Sequence, residues 1–264
     1  MAGGRAIWYD AAMQRDGSGA EIRVVAIIQA HMASTRLPGK VLMDIVGRTM
    51  LARTVERTRR AERLDEVVVA TTTAPADDAI VAECGRLGVP AFRGSEEDVL
   101  DRHCRAARAH CADAVARVTS DCPLIDPGLI DRVVGAFLEK RPDYAGNSLR
   151  PAYPVGLGVG VASMAALEMA WREARERHER VHVMPYLYGH PERFTLLSVE
   201  GEEDLSGHRW TVDTAEDLAF VRAVYERLGS DGRFGWRDVL ALVEREPRLA
   251  ELNRHVRQKT LREC

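Results

Sequence analysis

The sequence predicts an α/β protein built on a doubly wound, mostly parallel Rossmann-like sheet. Short β-branched runs alternate with stretches of helical apolar spacing between residues 23 and 126. The runs are apolar at successive positions, as expected for strands that are buried on both faces of a parallel sheet. A polar loop follows the first run, where the carboxyl ends of parallel strands form ligand sites. These three observations indicate strands joined by right-handed helical crossovers.

The first half of the chain supplies this alternation in order. A strand over residues 23–28 is followed by the polar loop, which ends at Lys40. The other predicted elements are a helix over 50–61, a strand over 66–71, a helix over 77–87, a strand over 89–92, a helix over 98–110 and a strand over 114–118.

The rhythm changes beyond Asp126. Residues 144–161 contain Pro151, Pro154 and several glycines, which predicts a small strand and loop insertion over the sheet. The other predicted elements are helices over 127–138, 164–177, 181–188, 215–228 and 236–245 and a strand over 194–198. We expect a flexible leader over 1–22, one domain over 23–230 and a helical tail over 231–264.

Charge and composition exclude some classes of protein. A net charge of -3 argues against a nucleic-acid-binding protein, which needs excess Lys and Arg on its contact face. Five scattered cysteines without a C-x-x-C pair predict a cytoplasmic, reducing location. No apolar run reaches the roughly 18 residues that a membrane span needs. A cluster of arginines is expected on the solvated side of a helix; its members are Arg53, Arg57, Arg59, Arg60 and Arg63.

The loop after the first strand combines two cations with small polar residues. Backbone N–H groups and the side chains of Ser34, Thr35, Arg36 and Lys40 can converge on phosphate oxygens, which suits a nucleoside triphosphate. The loop is not a Walker P-loop, because Val41 follows the lysine where that motif has Ser or Thr. The alternative is that the cations only solvate a strand-to-helix connection.

Two aspartates are candidate metal ligands. Asp121 follows a predicted central strand, so its carboxylate is expected in the same crevice as the loop. Mg²⁺ bound to a nucleotide takes one or two carboxylates together with phosphate oxygens and water, and Asp213 is the candidate for the second. The alternatives are helix capping for Asp213, beside Glu216 and Asp217, and an ordinary turn for Asp121.

Two other features carry little weight alone. The string GLGVG over 156–160 has glycines like those of a dinucleotide fingerprint, but it lacks the third glycine at the right offset and opens no clear helix. His182 lies among apolar residues, where a satisfied core histidine is the commoner case.

The chain resembles the cytidylyltransferases of spore-coat polysaccharide synthesis and, more distantly, the CMP-sugar-acid synthetases for deoxyoctulosonate and neuraminate. The resemblance runs from about residue 24 to residue 228. The segments that carry it are ASTRLPGK at 33–40, ATTT at 70–73, RGSEEDVLDR at 93–102, DCPLID at 121–126 and WTVD at 210–213.

The resemblance implies a nucleotidyltransferase sheet that moves CMP from CTP to an acceptor, with Mg²⁺ and release of pyrophosphate. Arg36, Lys40 and Asp121 would then be catalytic, and Asp121 and Asp213 would hold the metal. The implied nucleotide-binding residues are Gln29, Ala30, His31, Ser34, Thr35, Arg36, Lys40, Thr71, Thr72, Ser95 and Arg102. The resemblance also implies a homodimer, with residues 144–161 or the helix after Ser163 at the interface.

Three positions or stretches depart from the family pattern. His31 stands where the spore-coat group has Arg, which replaces a permanent cation with one that titrates near neutrality, and Ala33 replaces Gly. The stretch GLGVGV over 156–161 lacks both carboxylates of the pattern Gly-Leu-Asp-Val-Glu-Val, at Gly158 and Gly160. Their loss removes repulsion against an anion beside the expected acceptor pocket.

We therefore expect a small anionic acceptor, a phosphonate of the phosphonoformate kind in natural-product biosynthesis. The acceptor candidates are Arg150, Gly158, Gly160, His178, His182 and Arg209. One alternative is CMP activation of a 2-keto-3-deoxy sugar acid for surface polysaccharide. Another is a non-catalytic nucleotide-binding module, which the retained Arg36, Lys40, Asp121 and Asp213 argue against.

Overall fold

A seven-stranded sheet forms the centre of the computed structural model, which describes residues 22–263. The strands are β1 (Val24–Gln29), β2 (Glu66–Thr72), β3 (Ala91–Gly94), β4 (Ala114–Thr119), β5 (Tyr144–Gly146), β6 (Gly160–Ser163) and β7 (Leu196–Ser198). Their order across the sheet is β3-β2-β1-β4-β6-β5-β7. β6 runs antiparallel to its neighbours β4 and β5, and the other pairs are parallel. The predicted fold class is confirmed, while the predicted leader, except for Ile22, lies outside the described residues.

Helices cover both faces of the sheet. They are α1 (Met50–Thr58), α2 (Asp78–Leu87), α3 (Val99–Ala109), α4 (Pro127–Lys140), α5 (Met164–Glu173), α6 (Arg177–His182), α7 (Pro185–Gly189), α8 (Ala215–Leu228), α9 (Trp236–Arg245) and α10 (Arg248–Glu251). The single helix predicted over 181–188 is wrong, because α6 ends at His182 and α7 begins at Pro185. Val183 has a φ of 73°, and a proline fits only the first turn of the next helix.

The apolar core consists of two layers separated by the sheet. One layer joins α1, α4, α8 and α9 to one face and includes Met50, Ile130 and Val221. The other joins α3, α5 and α7 to the opposite face and includes Leu100 and Leu167. Because both faces are covered, ligand access is expected at the carboxyl ends of β1, β2 and β4.

The later parts of the chain pack on this domain. The predicted insertion over 144–161 begins and ends in strands of the main sheet, and residues 147–159 connect those strands. In the tail, Val239 and Leu242 of α9 are buried in the core, and Trp236 meets the Tyr153 ring edge-on at 5.7 Å. Across residues 22–263 no helix combines the length and apolarity that crossing a membrane requires.

Two of the five clustered arginines are buried, so the prediction of a solvated face was wrong for them. Arg53 and Arg57 are 2% and 1% exposed. Their guanidinium groups donate to backbone carbonyls, Arg53 to those of residues 45, 46 and 230 and Arg57 to those of residues 125, 232 and 234. A buried cation is tolerated when its donors are satisfied in this way. Arg59, Arg60 and Arg63 are exposed, as predicted.

Candidate functional site

Lys40 is the centre of a group of charged side chains beyond the ends of β1 and β4. Its Nζ lies 3.0 Å from Asp121 Oδ2 and 2.9 Å from Asp213 Oδ1, and it donates to the Val212 carbonyl at 2.6 Å. Gly39 precedes the lysine with a φ of 70°, a conformation that glycine adopts without strain. The structure therefore brings the loop and both candidate metal ligands to one place.

The charges in this group stabilise one another. Burial by itself would lower the pKa of Lys40, but the carboxylates of Asp121 and Asp213 outweigh burial and raise that pKa above its usual value. Burial by itself would raise the pKa of Asp121, but Lys40 holds it below its usual value. At neutral pH an ammonium group therefore lies between two carboxylates.

Asp213 also binds two guanidinium groups. Its Oδ2 lies 2.9 Å from Arg36 Nη2 and 2.8 Å from Arg209 Nη2. With Lys40 on its other oxygen, Asp213 has three cationic partners. The loop cations Arg36 and Lys40 thus point at the same carboxylate, which holds them beside the crevice.

Asp217 holds Arg209 in place by hydrogen bonds, a role that the sequence did not predict. Its carboxylate is 0% exposed and accepts from Arg209 Nε and Nη2, both at 2.9 Å, and from Asn253 Nδ2 at 2.9 Å. It also accepts from the backbone N–H groups of Asp213 and Thr214. Thr214 and Asp217 form the capping box of α8, so Asp213 is left to face Lys40. An acid in the first turn of a helix is common, so no sequence signal marked this one.

Asp77 is a second residue that the sequence did not mark. Its carboxylate accepts from the Met32 N–H at 2.8 Å and from the hydroxyls of Thr71 and Thr72 at 3.0 and 2.6 Å. Burial would raise the pKa of Asp77, but these hydrogen bonds hold it below its usual value. The hydroxyls of Thr71 and Thr72 therefore bind Asp77, which anchors the start of the loop.

Arg102, Ser95 and His31 lie near this anchor. Arg102 is buried and donates to the Ser95 carbonyl at 2.5 Å, while its Nε has no hydrogen-bond partner among the described residues. Burial, with the nearby charge of Arg102, lowers the pKa of His31. His31 is therefore neutral at pH 7 and does not replace the charge of the arginine in the family pattern.

The remaining nucleotide candidates lie along β1 and the loop. Gln29 Oε1 accepts from Arg117 Nε at 3.1 Å, and the Ala30 N–H donates to the Ala70 carbonyl. Ser34 Oγ accepts from the Leu37 N–H, and Thr35 is exposed. These contacts shape the loop and leave the Thr35 side chain accessible.

The six acceptor candidates have different partners in the structure. Arg209 belongs to the Asp213 group, and Arg150 pairs with Glu200 at 3.2 Å. His182 Nε2 lies 3.2 Å from the Leu261 carbonyl, and His178 lies on the same helix, α6. An added Cβ at Gly158 would meet Ser148 Oγ at 2.8 Å, and one at Gly160 would meet Tyr144 Oη at 2.6 Å.

Asp121 and Asp213 suit a magnesium ion that is bound together with a nucleotide better than a metal ion held by protein ligands alone. In the part of the chain that the structure describes, no three His, Cys, Asp or Glu side chains gather as a metal site. Asp121 and Asp213 already face a single cation, the ammonium group of Lys40. Mg²⁺ in nucleotide sites uses one or two carboxylates and takes its other ligands from phosphate and water. The donor set therefore fits a metal that arrives with a nucleotide.

Comparison with known proteins agrees with this geometry. The spore coat polysaccharide biosynthesis protein SpsF of Bacillus subtilis is 32% identical over 231 residues, which is 85% of this chain and 95% of SpsF. A 3-deoxy-manno-octulosonate cytidylyltransferase of Geobacter metallireducens is 37% identical over 117 residues, 44% of this chain and 45% of that protein. A solved cytidylyltransferase of Leptospira borgpetersenii superposes with a TM-score of 0.85 at 30% identity, covering 91% of this chain and 100% of its own.

The family assignment follows from the match to a family model. Residues 25–232 match a family model described as cytidylyltransferase. The match runs from β1 to just beyond α8 and includes Lys40, Asp121 and Asp213. The resemblance stated from the sequence is confirmed. The chain belongs to the cytidylyltransferase family and is a CTP-dependent nucleotidyltransferase.

Proposed function

We propose that this enzyme moves CMP from CTP to a small phosphonate, with Mg²⁺ and release of pyrophosphate, in natural-product biosynthesis. The observation that carries the proposal is the Lys40 group, in which Lys40, Arg36 and Arg209 meet the carboxylates of Asp121 and Asp213 beside the loop. Such a group can exchange its internal ion pairs for the charges of a triphosphate.

The exchange involves two cations with different geometry. Arg36 presents a planar fork that suits two phosphate oxygens, whereas Lys40 presents a compact charge. Both are held by Asp213 at 2.9 Å, so the approach of CTP replaces one set of charge-assisted hydrogen bonds with another. Arg209 does not move to the phosphates, because Asp217 binds it by two hydrogen bonds.

Asp121 and Asp213 are the residues that would hold Mg²⁺. The ion, when bound, would neutralise charge on the phosphate oxygens. Asp121 Oδ2 and Asp213 Oδ1, which Lys40 contacts here, would become available to a metal as the lysine turns to the phosphates. Asp217 keeps the main chain at Asp213 in place through its hydrogen bond with the Asp213 N–H.

The chemistry needs little from the protein beyond position and charge. An acceptor oxygen attacks the α-phosphorus, and the bond from that phosphorus to the oxygen bridging to the β-phosphorus breaks, so pyrophosphate leaves. A phosphonate oxygen is already ionised at neutral pH, so no base has to remove a proton. The absence of such a need agrees with the acceptor candidate His182, whose pKa burial lowers to about 4, so that it is a poor base at pH 7.

The location and assembly are part of the same proposal. Cys84, Cys104 and Cys122 are buried as free thiols, which suits a reducing cytoplasm. We infer a homodimer by analogy with the family, with residues 144–161 or α5 at the interface.

A sugar-acid acceptor is the second candidate. It is favoured by the similarity to the Geobacter protein, whose name specifies 3-deoxy-manno-octulosonate. In this case the attacking group is a hydroxyl, which must lose a proton. The two candidates therefore differ in the acceptor's charge and in the need for a base.

Pyrophosphate release from CTP and Mg²⁺ distinguishes the candidates. We expect turnover with phosphonoformate and little with 3-deoxy-manno-octulosonate. An Asp121→Ala variant, which lacks one candidate metal ligand, should be slower by about 100-fold or more. Turnover with the sugar acid alone would contradict the phosphonate assignment and establish the second candidate. Full activity in the presence of EDTA would contradict the role of Mg²⁺.

A further inference from the structure

A row of four residues crosses the sheet beside the Lys40 group. Arg117 of β4 pairs with Gly160 of β6, Gly160 with Gly146 of β5, and Gly146 with Ser198 of β7. Residues paired in this register direct their side chains to the same face of the sheet. The two central positions are glycines, which leave a trough in the sheet between the arginine and the serine.

The Tyr144 hydroxyl lies over this trough. A Cβ built on Gly146 or on Gly160 would come within 2.6 Å of Tyr144 Oη, so neither position accepts a larger residue while the tyrosine keeps its place. The Tyr144 ring packs near the Tyr188 ring, with centroids 6.0 Å apart. The family pattern has a carboxylate at position 160. Here the residue is glycine, and the neutral hydroxyl of Tyr144 fills the space beside it.

The polar groups of the row are incompletely satisfied. Arg117 donates from Nε to Gln29, and among residues 22–263 no carboxylate oxygen lies within 4.0 Å of its guanidinium group. Ser198 Oγ is buried and has no hydrogen-bond partner in the described part of the chain. A buried polar group without a partner is costly, so it is expected to gain one from a ligand or from water.

Arg117 carries the positive charge of the row, and two histidines near it are neutral. Burial lowers the pKa of His182 to about 4, and the nearby charge of Arg117 adds to this effect. Burial lowers the pKa of His103 to about 3, again assisted by Arg117. Both imidazoles are thus neutral at pH 7, whereas a guanidinium group stays charged.

We infer that Arg117 anchors the anionic group of the acceptor, with the hydroxyl of Tyr144 beside it and that of Ser198 at the far end of the row. This inference rests on the proposed transfer of CMP and names the residue that binds the anionic group of the acceptor. We call Arg117, Tyr144, Gly146, Gly160 and Ser198 the acceptor cradle. Asp121 lies four residues beyond Arg117 on the same strand and its continuation, so an acceptor held here lies next to the phosphate and metal site.

A carboxylate and a phosphonate share the chemistry that a guanidinium group recognises. The cradle is therefore expected to bind either charge. The two acceptors proposed above each carry such a group, so the same substitution tests the anchor with both.

The test separates binding of the acceptor from binding of CTP. Pyrophosphate release is measured with Arg117→Gln and Arg117→Lys at saturating CTP, while phosphonoformate or 3-deoxy-manno-octulosonate is varied. We expect Arg117→Gln to raise the acceptor KM by about 10-fold or more, since a charged hydrogen bond is lost, with the KM for CTP little changed. Arg117→Lys, which keeps the charge, should lie in between. The control is Arg108→Gln, a surface arginine paired with Glu168, which should match the parent enzyme.

The inference can also be tested without turnover. Calorimetry measures the binding of the same two acceptors in the presence of a non-hydrolysable CTP analogue. Loss of acceptor binding in Arg117→Gln supports the anchor even if the parent protein releases no pyrophosphate, a result that would overturn only the proposed function. Unchanged acceptor KM and unchanged binding in Arg117→Gln would overturn the anchor while leaving CMP transfer intact. Absence of binding of both acceptors to the parent protein would also overturn it. Thermal melting of each variant shows whether it is folded.

Discussion

Replacing Lys40 with Met is expected to lower the rate of pyrophosphate release by at least about 100-fold. The substitution removes the cation that contacts both Asp121 and Asp213 and that we propose for the phosphates of CTP. Asp121 then keeps no ion-pair partner among residues 22–263, and its negative charge repels the incoming triphosphate. Steady-state assays with saturating acceptor measure the effect, and a rate close to that of the parent enzyme would contradict the role of Lys40.

The pH dependence of this variant gives a second measurement. Lys40 lowers the pKa of Asp121 against the opposing effect of burial, so removing the lysine should raise it. The acidic limb of the pH–rate profile is therefore expected to move to higher pH in Lys40→Met. Lys140→Met is the matched control, because it removes a lysine from an ion pair with Glu139 on α4. It should change neither the rate nor the profile.

Lys40→Arg asks whether charge alone is sufficient. The parent ammonium group donates to two carboxylates and to the Val212 carbonyl from one atom. A planar guanidinium group cannot direct its donors to the same three acceptors without displacing the buried stem. We expect a rate between those of the parent enzyme and Lys40→Met, measured in the same assay.

The sheet and the location of the site could be predicted because they follow from local pattern. Buried β-branched runs fix the central strands, and the ends of parallel strands fix where a loop such as 29–40 and a residue such as Asp121 must emerge. The position of Asp213 at the same crevice was a hypothesis from chemistry, and the structure places it 2.9 Å from Lys40. The successful predictions therefore depended on the order and ends of the strands more than on contacts between side chains.

The residues that were missed depend on contacts between distant parts of the chain. Arg53 looks like a solvated helix residue until the loop near residue 230 covers it with carbonyl groups. Arg117 interrupts an apolar strand, and only the pairing of β4 with β6 shows that it adjoins a glycine trough. Asp77 looks like an ordinary residue at a helix start, yet it anchors the Met32 N–H 45 residues earlier. Sequence periodicity carries no information on such pairs.

The side chain of Asp217 is expected to stabilise the fold as well as the site. Replacing it with Ala leaves the buried guanidinium group of Arg209 with Asp213 as its remaining carboxylate partner, and leaves Asn253 Nδ2 with the Arg209 carbonyl as its remaining acceptor. Removing one partner of a buried ion pair costs about 3–5 kcal/mol, so we expect a free energy of unfolding lower by that amount. Denaturant titration at pH 7 measures it. Asp238→Ala is the matched control, since Asp238 is the exposed acid at the same position of the capping box of α9, and its loss should cost about 1 kcal/mol.

Acid should remove the advantage of the parent protein over Asp217→Ala. Burial opposes ionisation of Asp217, but the hydrogen bonds from Arg209, the Asp213 N–H and Asn253 outweigh burial and keep its pKa below the usual value. A carboxyl group whose pKa is depressed in the folded state contributes its stability above the unfolded value of about 4 and loses it as pH falls through the folded value. The difference in unfolding free energy between the parent protein and Asp217→Ala is therefore expected to be constant from pH 7 to about pH 5 and to shrink in more acidic solution. A difference that grows on acidification would show that the ionised carboxylate of Asp217 is not what holds Arg209, and with it Asp213, in place.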